Sequence, residues 1–389
     1  LSLGGDNGVA QGFNRQYLPV IYSRFGQNSA WSTRFAVSNT SHSITACVRM
    51  TYRRHNGDVV FEEPPIDGPV DPQCPHGGLP LPPQGAILRN QANMTQELPE
   101  QFEGSLIIDL LDNEVPASKQ FVAATADIFN SERANFASYK GLGWSPPDTG
   151  ELSTTVLLPL IFRNFGYLNG WNTHYQIITV DPSQAANVTV TYCCDSRLAG
   201  PGGSFQKTFS VQASAIVYQA LEEELPNDFV GSAIVTSDQP IAVVDMMAWT
   251  FLDKATFGTF VGVPQAAAST TVWVPVVYKD FGWKGPTGTA DGWNTWFQVQ
   301  VADGGTANVR ITYHGAKLAG GSVSFDASVT GSQTFYQHIE PLLPDDFEGA
   351  VVVTSDKPIV VVAGITSDAY EGDTESIFLG FGPGPSPAP

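Results

Sequence analysis

Apolar and polar residues alternate with a period of two through much of this chain, most clearly in its middle third. There residues 154–162 form an apolar run, and residues 172–180 and 187–192 alternate. Val188 and Val190 interleave with Thr189 and Thr191, so one face is apolar and the other hydroxylated. That period, in β-branched residues, marks a half-buried strand. Further strand-like runs follow at 204–211, 213–220, 231–236, 241–247 and 259–263. Seven or eight short strands with turn signals between them predict an all-β fold, a two-sheet sandwich of immunoglobulin type. No helical period is sustained; residues 221–225 supply one helical turn at most.

The same pattern is spelled out three times. Leu18-Pro19 with Phe25-Gly26, Leu158-Pro159 with Phe165-Gly166, and Val274-Pro275 with Phe281-Gly282 open three copies of one unit. Each opening leads to a tryptophan block (Trp31-Ser32-Thr33, Trp171-Asn172-Thr173, Trp293-Asn294-Thr295) and then to a strand ending in Thr-Tyr at Tyr52, Tyr192 and Tyr313. Later stand Leu98 with Phe102 and Gly104, Leu225 with Phe229 and Gly231, and Leu343 with Phe347 and Gly349. A spacing of about 115 to 140 residues is that of a whole domain, not of a solenoid repeat. Three tandem immunoglobulin-like β-sandwich domains follow: module 1 at 16–153, module 2 at 154–268 and module 3 at 269–381. An N-terminal extension, 1–15, precedes them, and a Pro/Gly-rich tail, 382–389, follows. Residues 141–147 and 264–269 read as short linkers, so the modules should be close neighbours.

Two local signals refine the picture. Pro19, Pro159 and Pro275 sit inside each first apolar run, and proline cannot donate to a ladder, so that strand lies on a sheet edge or bends there. Residues 236–241 and 354–359, both Thr-Ser-Asp-x-Pro-Ile, read as hairpins, the Asp capping a turn whose φ the proline presets. Module 1 departs at this slot (residues 110–115) and carries an insertion at about 56–83, rich in Pro and Gly, with Cys74 and His76.

Charge narrows the partners. The formal charge of −19 is spread as −6, −5 and −8 over residues 1–153, 154–270 and 271–389. No basic stripe is present to neutralise phosphates, so nucleic acid is not an expected partner. No window approaches 18 uninterrupted apolar residues, so no membrane-spanning helix is expected. A chain opening at Leu1 and poor in lysine suits a protein exported by signal peptide.

The sequence carries no recognisable catalytic or cofactor motif. His42, His55, His76, His174, His314 and His338 form no metal-ligand spacing with one another or with cysteine. No nucleophile elbow, P-loop or dinucleotide fingerprint occurs. His174, beside Trp171, resembles a catalytic base, but Trp296 holds the matching position in module 3, so a surface strand residue is the better reading. Asp368, Glu371, Asp373 and Glu375 could gather oxygen ligands for calcium yet lack the alternating spacing of an ion-wrapping loop. Trp31, Trp171 and Trp293 are read as structural, with Tyr52, Tyr192 and Tyr313, because every copy must fold while not every copy need bind. No metal or other cofactor is therefore expected.

The even count of cysteines in an exported chain reads as two disulfides. Cys47 with Cys74 would tie the insertion to its own module. Adjacent Cys193 and Cys194 would need a distorted turn after Tyr192 to bond each other, so a bond to another chain stays open.

In its repeated blocks the chain resembles a family of tandem immunoglobulin-like modules in bacterial extracellular and cell-surface proteins. The shared phrasing is a Leu-Pro opening, Gly-Trp-Asn-Thr, Thr-Val-Thr-Tyr, Leu-Pro-x-x-Phe-x-Gly-Ser and Thr-Ser-Asp-Gln-Pro-Ile, and residues 156–264 match best. The resemblance implies an exported surface or matrix setting and supplies no catalytic residues. The expected function is that of a non-enzymatic structural protein, a self-assembling subunit of a surface filament, sheath or layer, with copies of itself as partners. The alternative is an adhesin or carbohydrate-binding module array with a surface glycan as ligand. For assembly, the N-terminal segment, through Leu1, Leu3, Val9 and Phe13, is expected to lie on an adjacent subunit, adding backbone pairing to a sheet edge.

Overall fold

The computed structural model describes residues 12–66, 68–111, 121–133, 135–145, 149–166, 170–251, 254–285, 288, 291–367 and 375–382. All long elements are antiparallel β-strands. In module 2 one sheet runs Ser204–Val211, Ala186–Cys193, the first half of Phe229–Phe251, Ser153–Arg163 and Val263–Pro264. The facing sheet runs Ser214–Tyr218, Trp171–Thr179, the second half of Phe229–Phe251 and Lys254–Val261. Module 3 repeats the arrangement, with Phe347–Thr366 as its long strand. Module 1 builds the same two layers, with separate strands Phe102–Leu110 and Val122–Asn130 in place of the long one. Unlike the immunoglobulin pairing, each first strand lies beside the strand that opens with the Phe-x-Gly block, at Phe102, Phe229 or Phe347, and not beside the second strand.

The expected hairpins at 236–241 and 354–359 are not hairpins. The chain steps from one sheet to the other without reversing: Ser237 still pairs with Val188, while Ile241 already pairs with Thr179 in the facing sheet. Asp238 holds this step by accepting from both the backbone N–H (2.9 Å) and the side-chain amide (2.6 Å) of Asn187. Asp356 does the same for Asn308, at 2.8 Å in both bonds.

The repeated proline produces a bend. The ladder to the neighbouring strand slips at the proline in every module, between Leu18 and Ile21, between Leu158 and Ile161 and between Val274 and Val277. In modules 1 and 2 a second neighbour flanks the first strand, but its pairing ends at Tyr17 and Leu157, before the proline. First strands begin at Arg15, Ser153 and Ser269. Part of the stretch expected to link modules 1 and 2 is instead a strand of module 1, Leu142–Ser145 paired to residues 15–17. The insertion adds Val59–Glu63 and Leu79–Leu81 beside Ala46–Arg53, and Cys47 is bonded to Cys74 with Cα atoms 5.6 Å apart.

Each module has its own buried apolar cluster, but the clusters are continuous across the junctions. Ile178, Ala242, Val244, Met246 and Phe257 of module 2 pack with the module 1 core, and Val362 and Ile377 of module 3 with the module 2 core.

Candidate functional site

The recurrent blocks first fix the ends of each module. The threonine of the tryptophan block accepts the backbone N–H of Tyr22, Phe162 or Tyr278 at 2.9, 3.2 and 2.9 Å, through Thr33, Thr173 and Thr295. Asn172 and Asn294 cap the same loop by accepting from the N–H of Asn164 and Asp280, each at 2.9 Å. The Phe-Gly pair turns the chain: Gly26, Gly166 and Gly282 have φ of 76, 74 and 82°, the left-handed region that glycine enters without strain. Trp31, Trp171 and Trp293 exchange main-chain bonds with Phe25, Phe165 and Phe281. Their rings are half-buried and lie toward the module ends, not at the centre of the core. Trp31 packs on Phe257 of module 2 with ring centroids 4.8 Å apart.

Tyr52, Tyr192 and Tyr313 are fully buried. A buried glutamine that the sequence reading missed serves two of them: Gln91 donates to the Tyr52 hydroxyl at 3.1 Å, and Gln337 to Tyr313 at 3.0 Å. In module 2 the Tyr192 hydroxyl meets that of Tyr175 at 2.7 Å. Its signal was the recurrence of Gln91, Gln219 and Gln337 shortly before each Leu-Pro block.

The sites where the chain does something beyond folding are the two module junctions, and they are built alike. The first-strand sheet of one module lies under the second-strand sheet of the next. At the first junction Gln176 donates its amide to the carbonyl of Gly104 at 2.9 Å; at the second, Gln298 donates to the matching Gly231 at 2.7 Å. Both glutamines are fully buried. The first strand is buried on both faces because one faces its own core and the other the next module. Tyr17 donates to the carbonyl of Val180, Tyr22 contacts Met246, and Leu157 packs with Ala302 and Val360. The same outward positions of module 3 are open: Trp273, counterpart of Tyr17 and Leu157, is 40% exposed, and Val276, Tyr278, Ala350 and Val352 are only half-buried.

Charged groups mark one spot on the first junction. Glu103 of module 1 accepts from the Tyr218 hydroxyl at 2.9 Å and lies 3.4 Å from His55 Nε2, whose Nδ1 meets Ser214 at 2.8 Å. His174 comes in opposite and stacks on Tyr218 at 5.4 Å. It is therefore a junction residue and not a surface one; desolvation lowers its pKa to about 4, against an opposing pull from Glu103. At the second junction Val230 and Trp296 hold the positions of Glu103 and His174, both packed on the module 2 core.

Cys193 and Cys194 are bonded to each other, with Cys194 at φ 90°. The pair rests against module 3, where a side chain at Gly331 would collide with both sulfurs and Ser332 donates to Cys194 at 3.5 Å. Phe13 is tied to its own module, by main-chain bonds of 2.8 and 3.2 Å with Val122, and is buried there against Gly143. This corrects its expected place on a neighbouring subunit; Leu1, Leu3 and Val9 lie outside the described residues. Asp368, Glu371 and Asp373 also lie outside them, and Glu375 is buried where modules 2 and 3 meet. Among the described residues no cluster of potential metal ligands occurs, and no helix is long and apolar enough to cross a membrane.

No family model and no curated protein matches the chain. Among solved structures it is similar to Thermotoga maritima 1070 at 15% identity, over 29% of this chain and 94% of that one, with a TM-score of 0.24. It is also similar to the major pilin of Streptococcus pyogenes (E117A mutant; 10% identity, 58% and 97% covered, TM-score 0.15). A third likeness is to the major pilin subunit of Bacillus cereus (9%, 86% and 88% covered, TM-score 0.11). Overlaps this slight say nothing of what the chain does.

Proposed function

We propose that this chain is a non-enzymatic structural subunit of an extracellular, cell-surface assembly, built by self-association into a filament, sheath or layer. One observation carries the reading: the outward face used at both internal junctions recurs on module 3 with its large apolar residues kept, and among the described residues no other module lies upon it. A terminal repeat with no partner ordinarily turns a polar face outward. Sedimentation velocity and negative-stain imaging of the purified chain over a wide concentration range test the proposal. Concentration-dependent polymers are expected, and a monomer at every concentration would sink it.

The carbohydrate-binding alternative has one feature in its favour. A cleft of about 210 Å³ between modules 2 and 3 is lined by Phe162, Trp171, Asn294, Trp296, Tyr336 and His338, among others. Aromatic faces with polar neighbours suit a sugar ring. Titration with an oligosaccharide panel, read by tryptophan fluorescence, decides it: no saturable change across the panel removes this reading.

A further inference from the structure

We infer that the open face of module 3 receives module 1 of a second copy of this chain, with Arg34 of that copy set opposite Glu348. The inference rests on the self-assembly reading and names the surfaces it uses. Continuity with the internal junctions identifies the receiving side. Trp273, Val276, Tyr278 and Val352 match Tyr17, Val20, Tyr22 and Ile107 of module 1, all buried, and Leu157, Leu160, Phe162 and Ile234 of module 2. Gly349 repeats Gly104 and Gly231, at the bulge opposite Val277.

The incoming side at each internal junction is the sheet formed around the second strand. In module 1 that sheet consists of Ala86–Asn90, Trp31–Asn39, Val122–Asn130 and Asn135–Lys140; module 2 touches it at Trp31 and at Ser138, and Arg34 is exposed. The position that reaches across is His174 in module 2, Trp296 in module 3 and Arg34 in module 1. It meets Glu103 at the first junction, an ionisable group facing an ionisable group. At the second junction Trp296 and Val230, the counterpart of Glu103, both pack on the module 2 core, apolar matched with apolar. The next receiving position is Glu348, exposed, and the next incoming residue is a cation. Asp127 takes only the Nε hydrogen of Arg34, whose guanidinium lies over the rings of Phe136 (5.2 Å) and Phe129 (6.0 Å). Its terminal N–H groups suit a carboxylate.

The contact between copies differs from the internal ones in a way that sets its strength. Ala36 stands where Gln176 and Gln298 donate, and Thr125 and Asp127 stand where Val244 and Met246 pack. The glutamine bond is missing and less apolar surface is covered, so docking is weaker than the fixed junctions, reversible and sensitive to salt. Joining module 1 to module 3 is head-to-tail, the kind of contact that builds a linear polymer wherever its rotation does not close a ring.

The test is a charge swap in the full chain. Arg34→Glu and Glu348→Arg should each raise the concentration for half-assembly by about tenfold or more, and the double variant should return it to within about threefold of the parent. Trp273→Ser, on the same face and away from the core, should also block assembly. Far-UV circular dichroism checks that each variant folds. If the parent assembles but the single swaps leave assembly unchanged, or the double swap fails to restore it, the Arg34–Glu348 docking is wrong and the self-assembly reading survives. If the parent is monomeric throughout, both fall.

Discussion

The side-chain amide of Gln298 in module 3 lies 2.7 Å from the main-chain carbonyl of Gly231 in module 2, in a place that water does not reach. Removing the donor leaves a buried carbonyl without its bond, at a cost of about 1–3 kcal/mol. Gln298→Ala should therefore loosen the second junction while leaving each sandwich intact. Hydrogen exchange should rise at the amides of residues 229–233 and 296–300, with little change around Tyr52. Unchanged exchange at both segments would show that the bond does not hold the modules together.

Gly331 tests the bonded cysteine pair as a spacer. Its φ is 63°, and a methyl group there would run into the sulfurs of Cys193 and Cys194. Gly331→Ala should cost about 2–4 kcal/mol from strain and collision together. Limited proteolysis should then cut between modules 2 and 3. Reducing agent should relieve part of the defect, because the separated thiols can swing aside; an equally stable variant would place the pair away from the junction.

Asp245 is a carboxyl group in the module 2 core with neither oxygen hydrogen-bonded, and burial pushes its pKa well above the usual carboxylate value. A carboxyl whose folded pKa is raised binds its proton more tightly when folded, so its effect on stability worsens as pH rises above the ordinary carboxylate range. Modules 1 and 3 carry Ala126 and Ala363 at this position. Asp245→Ala should stabilise the protein at neutral pH by about 1–3 kcal/mol, with the gain shrinking toward pH 4. Denaturant melts of both proteins across that range read the difference directly, and a gain that grows on acidification would contradict the assignment.

His174 predicts the opposite slope for the first junction. Its folded pKa of about 4 lies below the ordinary histidine value of 6.5, because desolvation outweighs the pull of Glu103; His55 and Tyr218 complete the charged and titratable groups around it. The stability it supports is present above pH 6.5 and lost as pH falls toward 4. The loss should be on the order of 2 kcal/mol once partial solvent screening is allowed for. NMR titration of the imidazole should show no protonation at pH 5.5. A titration midpoint near 6.5 would mean that the junction is open in solution.

The parts of the molecule legible in the sequence were those whose causes are local. Phe-Gly recurs because the turn needs a left-handed glycine, and Trp-Asn-Thr because the Asn and Thr side chains close the loop they stand beside. The crossings at Pro240 and Pro358 were misread because an Asp, a proline and two apolar runs look alike whether a chain reverses or changes sheets. The tryptophans are structural, but their rings serve module ends, which a period-two pattern does not distinguish from the centre. Gln176 and Gln298 were invisible for a non-local reason: a polar residue on an alternating strand reads as facing water until the neighbouring module is in place. The unbroken apolar run at 156–162 carried the hint, since a strand covered on both faces loses its alternation.

The uninterrupted strand Phe229–Phe251 has a mechanical consequence. Its first half presents the carbonyl that module 3 grips, and its second half carries Val244 and Met246, which meet module 1. The neighbours thus grip opposite sheets of module 2, and those sheets are joined by main chain at residues 237–241 as well as by core packing. A pull that draws the neighbours apart cannot separate the sheets of module 2 without also straining that covalent crossing.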